Sequence, residues 1–112
     1  MPQPNMAQMM KQVQKMQQDM LRVQQELAVA EVTASSGGGL VTVTVTGALV
    51  VREIRIAPAA IDPDDPELTG DLVLAAVNEA IRGAQALANE RMGQATGGLD
   101  LGALGGLGLP GV

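Results

Sequence analysis

Few residues in this sequence could carry chemistry, and the absent types narrow the field first. No His, Cys or Tyr occurs among its 112 residues. That removes Ser-His-Asp and Cys-His triads, the usual zinc sites and the commonest general base. The carboxylates Asp62, Asp64 and Asp65 invite a calcium reading, but the ligand register ending in a glutamate at the twelfth position is missing. Pro63 and Pro66 make the segment read as the start of a helix instead. Gly37-Gly38-Gly39 resembles a phosphate cradle, yet no Gly-Lys-Ser/Thr follows and Leu40 opens a strand, so a hairpin turn is the simpler reading. Nothing in the pattern supports an enzyme, and no cofactor or metal is expected.

The cations Lys11, Lys15 and Arg22 remain, four and seven residues apart, with Gln8, Gln14 and Gln18 beside them. On a helix that spacing puts the three charges on one face, where they could track a run of phosphates without reading bases. The competing reading is a solvated face pinned by the (i, i+4) pairs Lys15–Asp19 and Arg22–Glu26. With no aromatic residue in the chain, single strands cannot be gripped by base stacking, so duplex is the favoured nucleic acid.

The net charge of −5 looks hostile to DNA, but its distribution does not. Five acids fall in one short segment: Asp62, Asp64, Asp65, Glu67 and Asp71. The first thirty residues have a small cationic excess. Salt screens beyond about 8 Å at physiological strength, so a distant cationic face can still act.

The element that must position these cations runs from Asn5 to Leu27. Apolar residues recur at Met6, Met9, Val13, Met16, Met20, Val23 and Leu27, alternating three and four apart. This heptad spacing lays one narrow apolar seam along a helix and suits a partner helix better than a sheet. Asn5 is the expected cap. Val29–Ala34 reads as a first strand and Ser35–Gly39 as a turn. Leu40–Thr46 alternates cleanly, with Val41, Val43 and Val45 on one face and Thr42, Thr44 and Thr46 on the other. Gly47-Ala48 makes a tight connection to a third strand, Leu49–Ile56, whose core side is read as Val50, Ile54 and Ile56 with Arg52 on the same parity.

Asp65 should cap a second helix with Pro66 at its first position. Leu68, Leu72, Ala76, Ala80, Ala84 and Leu87 line one side of that helix, widened by Val73, Val77 and Ile81. The fold class is therefore α+β: a long N-terminal helix, a three-stranded antiparallel meander and a C-terminal helix (α-β-β-β-α). Residues 1–92 form a single domain, and the Gly/Leu-rich tail 93–112 is expected to stay disordered, because ordering glycine costs more than scattered leucines return. A small chain without aromatic rings buries little apolar surface, which pushes it toward an oligomer. No run of apolar residues is long enough for a membrane span and no signal pattern opens the chain, so a cytoplasmic protein is expected.

The order of parts also resembles a known family. A Met/Gln-rich helix leads into Gly38-Gly-Leu-Val-Thr-Val-Thr-Val-Thr-Gly47, then Ile56-Ala-Pro, then Asp65-Pro-Glu-Leu-Thr-Gly-Asp-Leu-Val-Leu-Ala-Ala-Val-Asn-Glu-Ala80. Over residues 6–92 this is similar to the YbaB/EbfC family of bacterial nucleoid-associated proteins. The resemblance implies a homodimer with projecting helices that binds double-stranded DNA, alters its conformation and contributes to nucleoid organisation, DNA protection and gene regulation. Carried onto this sequence, the DNA-binding cations are Lys11, Lys15 and Arg22 on the first helix and Arg82 and Arg91 on the second. Asn78 belongs to the motif and reads as a structural hydrogen-bonding residue. The rival reading is a protein-interaction module that uses the heptad helix and has no DNA role. A third gives the tail a part in filament or condensate formation.

Overall fold

The computed structural model describes residues 6–95. Helix α1 (Met6–Val29) leads into strands β1 (Glu31–Ser36), β2 (Val41–Thr46) and β3 (Val51–Ile56), followed by a 3-10 turn at Pro58–Ala60 and helix α2 (Pro66–Ala95). The strands form an antiparallel meander in the order β1-β2-β3. Asn5, the expected cap of α1, lies outside the described residues. Helix α2 carries on through Gly93 to Ala95, just past the boundary expected at residue 92. The rest of the expected tail, from residue 96, lies outside the described residues.

The core follows from the alternation of β2. Val41, Val43 and Val45 are fully buried against Ala76, Ala80 and Ala84 of α2. Alanines four apart give α2 a small-residue stripe, so its backbone approaches the sheet closely. Gly83 marks the tightest contact: a Cβ there would stand 2.8 Å from Val32 Cγ1. Glycine in this helix interior costs about 1 kcal/mol against alanine, offset by the packing it permits. At the head of α2, Asp65 accepts a hydrogen bond from the Leu68 amide at 3.3 Å, and Asp62 accepts one from the Asp64 amide at 2.9 Å. These acids therefore shape the helix start. Leu68, expected in the core stripe, is exposed in the first turn of α2.

The β2–β3 hairpin departs from the expected pattern in two ways. Thr46, expected on the polar face, is buried, and its Oγ1 accepts hydrogen bonds from the Ala48 and Val50 amides. The connection therefore runs from Gly47 through Val50, with Leu49 at φ 66°. That left-handed conformation costs a non-glycine residue about 1–2 kcal/mol. Beyond it a bulge shifts the register, so that Val45 pairs with Val51 while Thr44 pairs with Glu53. Val51, rather than Val50, joins Ile54 and Ile56 on the face of the buried valines, and Arg52 is the extra residue. This face of β3 is nevertheless uncovered, with Val51 and Ile54 each 44% exposed and Ile56 38% exposed. Helix α2 lies over β1 and β2 and stops short of β3.

Candidate nucleic-acid interface

Helix α1 meets the body only at its C-terminal end. Val23 and Leu27 are buried at 4% and 7% exposure, whereas Met6, Met9 and Val13 on the same seam are 77%, 53% and 54% exposed. The end of α2 explains the change. Gln94 and Ala95 lie in a cleft with Asp19, Arg22, Val23 and Glu26, so α2 runs out where α1 still has about 13 residues left. At about 1.5 Å per residue, close to 20 Å of α1 projects as an arm that no other described residue covers.

Lys11, Lys15 and Arg22 sit on this arm as their spacing predicts. At about 100° per residue their side lies roughly 150° around the helix from the seam. All three are exposed. From Lys11 to Arg22 the axial span is about 16 Å, or some five phosphate steps of one strand at about 3.4 Å each. Residues 6–18 include no acid, and neither Lys11 nor Lys15 has an ion-pair partner among the described residues. The acids of residues 62–71 head α2 at the end opposite Ala95. Some 45 Å of helix separates the two ends, far beyond the screening length.

The arginines are in a different state. Arg22 bridges Asp19 at 3.4 Å and Glu26 at 3.7 Å, and Arg91 reaches the other oxygen of Glu26 at 3.4 Å. The expected Lys15–Asp19 pair is thus replaced by Arg22–Asp19, while the expected Arg22–Glu26 pair forms. Glu26 draws Arg22 and Arg91 together across the two helices. These partly exposed pairs are each worth about 0–1 kcal/mol.

Arg82 stands apart. Nine residues from Arg91, it points to the opposite side of α2 at about 100° per residue. It bonds Glu79 at 2.6 Å and lines a groove with Ser35, Asp71 and Asn78. Asn78, expected to hydrogen-bond within the fold, is exposed on this groove, and its side chain bonds to no described residue. One cation that spacing did not single out is Arg52, exposed at the bulge and without an ion pair among the described residues. No signal in the alternation marks an extra residue. Its neighbour Arg55 is bonded to Glu53, whose hydrogen bond and charge raise the guanidinium above its ordinary value.

A family model described as the YbaB/EbfC DNA-binding family matches residues 1–99. The chain belongs to that family. Among similar proteins, a nucleoid-associated protein of Saccharopolyspora erythraea is 56% identical over 111 residues, covering 98% of this chain and 96% of its own. One from Alkaliphilus metalliredigens is 52% identical, covering 88% and 86%. One from Streptomyces griseus is 50% identical, covering 98% and 93%. The crystal structure of an uncharacterized Helicobacter pylori protein shares the fold seen here, with a TM-score of 0.66 at 19% identity over 88% of this chain and 100% of that one. Among the described residues no helix is long and apolar enough to cross a membrane.

Proposed function

We propose that this protein is a cytoplasmic, nucleoid-located DNA-binding protein that grips double-stranded DNA as a homodimer with little sequence preference. In that role it bends or stiffens the duplex and contributes to nucleoid organisation, DNA protection and gene regulation. The observation that carries the reading is the pair Lys11 and Lys15, on the outward side of a projecting arm and without an ion-pair partner among the described residues. Both meet phosphates. Arg22 and Arg91 continue the strip, exchanging surface ion pairs for phosphate contacts. Arg82, on the far side of α2, meets a separate stretch of backbone. Phosphate contacts position a protein without reading sequence, and the chain has no aromatic residue to add base stacking.

The homodimer is supported by β3. It is an edge strand whose apolar side, with Leu49 and Val50 of the hairpin, has no cover among the described residues. A second copy laid against it would complete a core that lacks aromatic rings.

Three to five phosphate contacts per protomer give the dimer a log-affinity slope against log salt of roughly −5 to −9. Gel shifts on duplexes of varied sequence, across a salt series, test this. A slope near zero, or binding confined to one sequence, would overturn the reading. The bare methionine seam favours a second role, the docking of another helix, and that role leaves the lysines unused. Lys11→Glu with Lys15→Glu separates the two, since only DNA retention depends on those charges.

A further inference from the structure

We propose that the distal half of α1 is itself an interface, which takes the same segment of a second copy, antiparallel, as a short two-helix coiled coil. This surface differs from the β3 face and does not depend on DNA being the ligand. Four observations converge on that occupant.

First, the seam at Met6, Met9, Val13, Met16, Met20, Val23 and Leu27 keeps the a/d spacing throughout. Its proximal part already packs as a helix–helix seam under α2, and the distal part continues the same stripe without cover among the described residues.

Second, the seam is self-complementary. With the two-fold axis between Val13 and Met16, a-on-d layers form as Met9 on Met20 of the second copy and Val13 on Met16 of the second copy. Symmetry repeats each layer once.

Third, α2 selects the direction and the extent. A parallel partner following the seam toward the base would run into the end of α2 beside Asp19 and Val23. In the antiparallel pair only the last turn of the partner's tip, at Met6, comes level with α2. The fifth layer, Met6 on Val23, is where α2 already lies, so pairing stops at four.

Fourth, the flanks raise no electrostatic barrier. The positions beside the paired seam hold Met10, Gln12, Gln17 and Asp19; Met10 is 60% exposed, and the charge of Asp19 is met by Arg22. Lys11 and Lys15 occupy outer positions that face away from a coiled-coil partner. Both arms of the pair therefore keep their cations outward, on opposite sides.

Four layers bury less than the ~1,200 Å² of a stable interface. The contact is weak between free molecules and strengthens where many copies are held close, as on one duplex. Combined with the DNA reading, it joins dimers and lets their outward cations hold two duplexes together.

The native chain has no cysteine, so introduced thiols report unambiguously. Full-length Met9→Cys and Met20→Cys proteins are oxidised separately and mixed, with and without duplex. In the antiparallel pair, Met9 of one copy lies about 16 Å from Met9 of the other, while a disulfide needs Cα atoms within about 7 Å. The mixture should therefore link at least about tenfold more than Met9→Cys alone. Val13→Asp, placed on the Cys variants at this exposed position, should abolish the link without changing the thermal midpoint. Deleting residues 96–112 should leave linking unchanged. Equal self-linking by Met9→Cys, or linking indifferent to Val13→Asp, overturns the proposal. So does linking seen only after residues 96–112 are removed, which makes the tail the occupant. Absence of linking at high concentration and on DNA hands the seam to another protein and also overturns it.

Discussion

The two halves of α1 share one repeat and meet opposite fates. In the proximal half, Val23 and Leu27 are buried under α2, and Arg22 is held by Asp19 and Glu26. In the distal half, Met6, Met9 and Val13 are open, and Lys11 and Lys15 have no ion-pair partner among the described residues. The difference lies in where α2 stops rather than in the repeat. A helix that is anchored at its base and bare at its tip keeps both an apolar and a cationic side available, which a fully packed helix could not do.

The largest expected effect breaks the distal half. Lys11→Glu with Lys15→Glu should weaken duplex binding by about 100-fold or more near physiological salt, since two contacts per protomer become two repulsions. The thermal midpoint should hold, because both residues are exposed. Next comes a contrast of the two seams by urea unfolding. Leu27→Ala should cost about 2–4 kcal/mol. Met9→Ala should stay within about 0.5 kcal/mol, the range of surface changes. Equal costs would mean that the arm is packed along its whole length. A smaller effect sharpens the electrostatic side: Glu26→Gln removes the acid that competes with phosphate for Arg22 and Arg91 and should raise affinity about threefold at low salt, fading as salt screens it. The smallest effect is expected for Arg82→Ala, within about twofold by gel shift, because that side chain lies off the strip and is already bonded to Glu79.

Much of this was open to reading along the chain. The β2 alternation identifies the buried valines, Asp65-Pro66 marks the start of α2, and the four- and seven-residue spacing of Lys11, Lys15 and Arg22 gives their shared face. Even the opposition of Arg82 and Arg91 follows from nine residues at about 100° each. The bulge at Arg52 was not legible, because inserting one residue leaves both parities plausible until the hydrogen bonds to β2 are drawn. Nor was the choice of Asp19 for Arg22 over Lys15, since three- and four-residue spacings both bring charges together on a helix.

Sequence alone determined the periodicities: one seam, one cationic side, one alternating strand and one small-residue stripe, each a property of local geometry. Tertiary structure alone decided which parts of those patterns are used up inside the protomer. Burial is a relation between elements, and no local pattern states where a neighbouring helix ends or which strand it leaves uncovered.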